Sequence, residues 1–456
     1  MYDKELLLFQ LGPVQEFIAQ AEKIGDLWAG SYLLSSIVWA GLQVIPDKEK
    51  SMVFPDLSTD AVKIALEEKK IPTIPNRFLS WVPKGQGVAV ARSVINACKI
   101  KLLEFAQKAD LPKGWEPQVE RFLQTSWAIL PEEEQTGDMG ADYKAVGRKL
   151  AMRRNVRDFV PWQEVEGLQT ATKDFLSGKE SALKNKLGAM NLIKRSLSGM
   201  REKVNVGIKE TYLAVIAMDG DKMGETLSKF KTEDEHRKFS SSLAEFANSV
   251  NEIVEKHNGY LIYAGGDDVL AVVPTTEAIY CANELREKFS EKVNGLAASA
   301  GIAVGHRSVP LQDLVHKAHS AEARAKSNYN RNALAMSVFK RSGEILEWGC
   351  KWNSSAFEIY DMMRNFSEKE LSNRFPYKLA ELLQPYGTLS AKMKDVAVLE
   401  FEHAWKRSSS RDMDAEFADA VSKYLDEVFG KNGNPNDFLT LFLCETFINR
   451  RREGEV

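Results

Sequence analysis

The chain has 456 residues, of which 44% are hydrophobic and 27% charged, and a formal net charge of −3. That length allows about three or four domains of an ordinary folded protein, and without a basic excess the chain does not read as a stand-alone binder of bare nucleic acid. The N-terminus has no signal-peptide architecture, no apolar run approaches membrane-spanning length, and the four cysteines (Cys98, Cys281, Cys350, Cys444) are scattered with no Cys-x-x-Cys, so reduced thiols and a cytoplasmic location are expected rather than a disulfide or zinc framework.

Leu6 to Leu11 reads as a short strand stopped by Gly12-Pro13. Val14, Phe17, Ile18, Ala21 and Ile24 then follow helical spacing, with a break or bend expected near Gly25 to Gly30 before the helix continues through Leu33, Leu34, Ile37 and Val38. Ser51 to Phe54 and Arg77 to Val82 read as strands, and Val88 to Ala109 as a helix. Leu111 to Trp127 carries Trp115 and Trp127, read as core or interface residues. Glu132 to Glu134 reads as a solvated loop. Lys144 to Phe159 is a basic helix with Arg148, Lys149, Arg153, Arg154 and Arg157, read as a solvated face in preference to a phosphate-facing one. Ser177 to Gly207 reads as a loop-rich connector.

The pattern then changes character. Leu213 to Met218 is an apolar strand ending in Asp219-Gly220-Asp221-Lys222-Met-Gly224, with a helical stretch expected from Glu225. The exposed amides of that turn and the following helix N-terminus suit phosphate. Phe239, Leu243, Phe246, Val250 and Ile253 mark a helix. Leu261 to Pro274 reads as two strands flanking Gly265-Gly266-Asp267-Asp268, where the glycines permit a tight reversal and close approach of another group. Two adjacent carboxylates are costly to hold together without a cation, and hard oxygen donors suit Mg²⁺ or Mn²⁺. Read alone, the same residues make a solvated turn. With Asp219 delivered beside the hairpin they make a three-carboxylate site on a strand–helix–hairpin core, the palm arrangement of nucleotide cyclases and many polymerases, in which two metals activate a ribose 3′-hydroxyl and stabilise the leaving pyrophosphate.

Thr276 to Lys292 reads as a helix, Ala297 to Val304 as a small-residue strand, Leu311 to Lys326 as an amphipathic helix and Ala333 to Phe339 as a strand. Lys326 ends the amphipathic helix, where the dipole favours a cation, and is read either as able to reach a triphosphate or as ordinary helix-end charge. His316 and His319 are read as surface or structural histidines. From Trp348 the pattern is mostly helical. The chain also repeats itself: Asn76 to Pro83 matches Asp267 to Pro274, placing Asn76 and Arg77 where the second copy has its Asp pair and Leu11 in the place of Asp219. The first copy is thus expected not to bind catalytic metal.

Several stretches together resemble the Cmr-type large subunit of type III-B CRISPR effector complexes. They are Gly12-Pro-Val-Gln-Glu-Phe-Ile18, Asp26-Leu-Trp-Ala-Gly-Ser-Tyr-Leu-Leu-Ser35, Pro75-Asn-Arg-Phe-Leu79, Arg154-Asn-Val-Arg-Asp-Phe159, Met218-Asp-Gly-Asp-Lys-Met-Gly224, Gly265-Gly-Asp-Asp268, Asn332-Ala-Leu-Ala335 and Phe375-Pro-Tyr-Lys-Leu-Ala380. The resemblance implies an α+β chain in four parts: a first palm-like domain with a degenerate site (1–120), a mostly helical intermediate domain (121–206), a catalytic palm of ferredoxin-like, nucleotide-cyclase type (207–345) and a helical C-terminal domain (346–456). It implies ATP as substrate, joined into cyclic oligoadenylate messengers when a guide RNA pairs with target RNA. The implied partners are the other subunits of the complex, especially the small subunit and the subunit that binds the guide RNA 5′ end, with no membrane.

By the same resemblance Asp219, Asp267 and Asp268 are the metal and catalytic positions. Gly220, Asp221, Lys222, Gly265, Gly266 and Lys326 serve the nucleotide, and Gly30 and Ser31 a second ATP. The chain starts almost directly in the first palm without a His-Asp dipeptide, so no HD-type nuclease is expected, and no zinc, because the region around Asp174 to Ser181 has no cysteine. The alternatives are a catalytically silent scaffold subunit and a GGDEF-type dinucleotide cyclase. Asp268, where that cyclase type has glutamate, and the length of the resemblance stand against the latter.

Overall fold

The computed structural model describes residues 3–58, 61–111, 113–155, 188–199, 211–367, 369–431 and 433–449. Two antiparallel-rich sheets carry the fold. The first contains β1 (Lys4–Gly12), β2 (Met52–Phe54), β3 (Arg77–Pro83) and β4 (Gln124–Leu130) in the order β2-β3-β1-β4. The second contains β5 (Tyr212–Gly220), β6 (Tyr260–Gly265), β7 (Asp268–Pro274), β8 (Ala298–His306), β9 (Ala333–Phe339) and β10 (Ile345–Lys351) in the order β10-β9-β8-β5-β7-β6. The four strands β6-β7-β5-β8 repeat the order β2-β3-β1-β4, so the internal repeat is a repeat of sheet topology.

The register changes one of its equivalences. β5 meets β7 from Leu213 opposite Pro274 to Met218 opposite Val269, while β1 meets β3 from Lys4 opposite Pro83 to Gln10 opposite Arg77. With the two hairpin strands superposed on Pro83 and Pro274, Gln10 rather than Leu11 stands where Asp219 stands. The neighbouring strands agree, since Asp219 lies opposite Ser299 and Gln10 opposite Ser126. A one-residue slip turns a side chain to the other face of a sheet. Leu11 is accordingly fully buried, and the polar Gln10 occupies the site face.

Helices α1 (Gln15–Ala19) and α2 (Ile24–Leu42) are separate, and the break falls before Gly25 rather than within Gly25 to Gly30. It falls there because the Asp26 carboxylate accepts the Lys23 N–H at 3.2 Å and starts α2. Helix α3 (Gly87–Lys108) packs on α2, and α4 (Met139–Asn155) lies over the first sheet. The expected loop-rich connector contains α5 (Ala189–Ser198), whose buried face packs on α2 and whose Lys194 donates to the Phe17 carbonyl at 2.7 Å. Asp174 to Ser181, read as lacking a zinc site, lies outside the described residues, as do 156–159 of the basic stretch.

In the second half the short α6 (Met223–Leu227) is followed by α7 (Glu233–Lys256), α8 (Ala278–Lys292) and α9 (Leu311–Ser327). Strand alternation divides the sheet. Ala214, Ile216 and Met218 join the core under α7 and α8, while Leu213, Val215 and Ala217 join the core that includes α9 and the first sheet. Trp348, expected to open the helical tail, lies in β10, so the second sheet runs on to Lys351. Its indole N–H donates to the Tyr424 hydroxyl at 2.9 Å. The helices α10 (Ala356–Arg364), α11 (Phe375–Leu383), α12 (Lys394–Ser408), α13 (Ala415–Phe429) and α14 (Asn436–Asn449) share one apolar core with the second sheet. Among the described residues no helix is long and apolar enough to cross a membrane.

Candidate active site

Strand β5 carries Asp219 to the end of the second sheet. One residue beyond the last pair, Met218 opposite Val269, the register brings Asp219 level with Asp268. Two glycines make this approach possible. A Cβ on Gly220 would lie 3.0 Å from the Asp267 Cβ and 2.9 Å from the Phe289 ring, so only glycine lets the hairpin turn close on the end of β5. Gly266 has φ of +80°, the left-handed backbone that the reversal requires. Gly265 is buried, and a Cβ on it would fall on the Tyr263 ring, so its backbone is covered by that ring.

The carboxylates crowd one another. Burial, and after it the charge of Asp219, pushes Asp267 up to about 7. Burial together with Asp219 and Asp267 pushes Asp268 well above the usual carboxylate range. The Tyr263 hydroxyl is raised by burial and by both hairpin aspartates, so it stays a neutral phenol beside them. Lys326, from the end of α9, meets Asp219 directly and Glu322 at 2.7 Å. Burial disfavours its charge, yet these two carboxylates outweigh burial and raise its pKa. Glu322 is itself raised, chiefly by burial. Glu322, Tyr263 and the half-buried His319, lowered by burial and then by His316, are site residues that sequence reading missed. Only Glu322 left a signal, being one helical turn before Lys326.

The other expected residues divide. Asp221 is buried, and its carboxylate is taken up by other partners: it accepts from the Ser299 hydroxyl at 2.9 and 3.0 Å and from the Asn332 N–H at 2.8 Å. It ties the end of β5 to β8 and to the loop before β9. Lys222 is exposed in a left-handed conformation with φ of +57°, 3.9 Å from Glu225. The helix after it is the five-residue α6 rather than a longer element from Glu225. Gly30 and Ser31 are buried within α2. A Cβ on Gly30 would lie 3.1 Å from the Lys194 side chain, and the Ser31 hydroxyl donates to the Leu27 carbonyl at 3.3 Å, so neither opens toward a ligand here. The cysteines are all buried and unbridged, with Cys98 and Cys281 pushed up to about 12 by burial.

The donor set suits a hard divalent cation in kind: carboxylate oxygens gathered at one sheet end, two of them driven toward protonation by burial and then by the neighbouring carboxylates. Lys326 supplies one positive charge against them. As the side chains stand, no three carboxylate, imidazole or thiol groups among the described residues are disposed to hold a metal. A cation would take over the neutralising position that the ammonium holds.

Both halves of the chain are similar to known proteins. A family model described as Cas10/Cmr2, second palm domain, matches residues 212–335, and one described as CRISPR-associated protein Cmr2, N-terminal, matches residues 6–109. The CRISPR system Cmr subunit Cmr2 of Pyrococcus furiosus is 31% identical over 206 residues, 37% of this chain and 23% of that protein. The single-strand-specific deoxyribonuclease Cas10/Csm1 of subtype III-A from Streptococcus thermophilus is 29% identical over 198 residues, 40% of this chain and 25% of that protein. The chain thus spans about a quarter of the length of the curated relatives it matches. Among solved structures, the apo state of a type III-B Cmr-beta complex has a chain of similar fold, with a TM-score of 0.69 at 12% identity, covering 98% of this chain and 82% of the other. A Csm1–Csm4 cassette in complex with cA4 matches with a TM-score of 0.54 at 14% identity, covering 98% and 70%.

Proposed function

The chain belongs to the Cas10/Cmr2 family, and on that premise we propose that it is the large subunit of a type III-B RNA-guided complex whose second palm joins ATP into cyclic oligoadenylates when target RNA is bound. The partners in this reading are the other Cmr subunits, guide RNA and target RNA. The observation that carries it is the meeting of Asp219, Asp267 and Asp268 at the end of β5 with Lys326 set against them.

Asp219, Asp267 and Asp268 would hold the divalent cations, Mg²⁺ or Mn²⁺, whose chemistry is to favour the ionised 3′-hydroxyl of one ATP and to steady the pyrophosphate leaving another. The residues of the chain do the positioning. The Gly266 turn sets the Asp pair at the sheet end. The Asp221 staple fixes the loop beyond α9. Glu322 keeps Lys326 charged and directed along the helix end. Once Asp219 is otherwise neutralised, the Lys326 ammonium is free to meet triphosphate oxygens. Most of the rate would come from such placement and charge stabilisation, with little proton transfer by side chains.

A silent scaffold is the second reading, and the contact between Lys326 and Asp219 is the observation that favours it, because it already satisfies part of the acid cluster. Labelled ATP incubated with the assembled complex, Mg²⁺ or Mn²⁺, and matched or mismatched target RNA separates the two. Cyclic oligoadenylate formed with matched RNA alone supports the cyclase. No nucleotide product from a fully assembled complex supports the scaffold.

A further inference from the structure

The two edges of the first sheet are treated differently. β2 is three residues long, is followed by Pro55 and packs against α7. Such a short, proline-ended, covered strand is a protected edge. β4, at the other edge, is seven residues long with the sequence QTSWAIL, which contains neither proline nor charge. Among the described residues no strand pairs with its outer side. A groove of about 590 Å³ runs there, lined by the five consecutive residues Thr125 to Ile129 and by Lys149, Met152 and Arg153 of α4. Consecutive rather than alternate residues line it, so the groove follows the backbone edge and not one face of the strand. In an antiparallel strand every second residue turns its N–H and C=O away from its partner, here β1, and toward that groove.

The rim has a definite charge. From Lys144 to Asn155, α4 carries Lys144, Arg148, Lys149, Arg153 and Arg154 and no acidic residue. Lys149 meets Glu134 at 2.6 Å, the Arg153 guanidinium lies 4.6 Å from the centre of the Trp127 ring, and Met152 is 68% exposed. We propose that β4 is a docking edge that receives an extended acidic segment of another polypeptide as a fifth strand of the first sheet. Main-chain hydrogen bonds supply the attachment and the α4 cations select acidic side chains. A second copy of this chain fits poorly, because pairing β4 with β4 about a two-fold axis sets two basic rims against each other. Nucleic acid would use the cations but leave the β4 amides without partners.

The probe is a fluorescein-labelled peptide of about ten residues alternating Glu and Val, long enough to span the strand. It is compared with the same peptide N-methylated at alternate residues, a Lys-Val counterpart and an oligouridylate of similar length. Anisotropy is read on the full chain, with amide exchange of Gln124–Leu130 followed in parallel. The Glu-Val peptide is expected to bind and to slow exchange across β4. N-methylation should weaken it at least about tenfold by removing main-chain bonds. The Lys149→Glu/Arg153→Glu variant should weaken it about tenfold and admit the Lys-Val peptide. Equal binding of the N-methylated peptide, tighter binding of oligouridylate with β4 exchange unchanged, protection of β4 before any peptide is added, or no binding of the Glu-Val peptide would each overturn the proposal.

Discussion

Asp437→Asn isolates the cost of one buried carboxylate. Asp437 stands at the start of α14, is 2% exposed, and accepts the Tyr329 hydroxyl at 2.8 Å. Burial pushes its pKa from 3.8 to about 7, against the opposing pull of the Tyr329 and Asn434 hydrogen bonds and the Arg324 charge. The unfolded chain therefore loses this proton near pH 4 and the folded chain near pH 7. The contribution to stability is fully present below pH 4 and is lost as the pH rises through 7. The gap corresponds to about 4 kcal/mol at pH 8. An amide keeps an acceptor for Tyr329 and never ionises. The variant should gain roughly 2–4 kcal/mol over the parent at pH 8, narrowing to under about 1 kcal/mol at pH 4.5. Urea unfolding followed by tryptophan fluorescence at both pH values measures this, since Trp348 and Trp405 belong to the same core. A variant less stable than the parent at pH 8, or a gap independent of pH, would show that Arg324 holds the ionised carboxylate comfortably and that burial does not dominate.

Lys326→Met removes the cation that competes for Asp219, so Mn²⁺ affinity should rise by up to about tenfold. ATP joining should fall by about 10²-fold through loss of a charge on the triphosphate. Paramagnetic titration and initial rates check the two, and unchanged Mn²⁺ affinity would count against the competition. Gly301→Ala places a Cβ 2.1 Å from the Ala318 carbonyl oxygen and from the Glu322 nitrogen, so α9 must move off the sheet. A loss of about 1–3 kcal/mol or more is expected in thermal unfolding, and an unaltered midpoint contradicts that packing. Asp221→Asn turns an acceptor of three contacts into a group that also donates, facing the Ser299 hydroxyl and the Asn332 N–H. It should cost about 1–3 kcal/mol of stability with ATP affinity changed less than about twofold, and the reverse ranking would return Asp221 to the nucleotide.

Most strands of the two sheets were legible because they are short apolar runs bounded by glycine, proline or charge, as in Leu213 to Met218 and Val269 to Pro274. β4 and β10 escaped because their patterns are mixed: Gln124 to Leu130 has polar and apolar residues on both faces, and Ile345 to Lys351 is interrupted by Glu347 and by Gly349, which is flat against the Tyr329 ring. The Asp219, Asp267 and Asp268 cluster was legible from glycine spacing and strand order. The substitution of Gln10 for Asp219 in the first copy was not, since local matching cannot fix register across Gly12-Pro13. Asp221 looked identical in kind to Asp219 in sequence. Two residues apart, they would share a face of a continued strand, and only the Ser299 and Asn332 contacts beyond the end of β5 mark Asp221 as the carboxylate that staples the fold.

The most direct test of the site is the Asp267→Ala/Asp268→Ala double variant in the assembled complex, given labelled ATP, Mg²⁺ or Mn²⁺ and matched target RNA, with products identified by mass. Removing the hairpin carboxylates should abolish nucleotide joining while subunit assembly and RNA binding stay intact. Cyclic product formed at the parent rate would place the chemistry elsewhere.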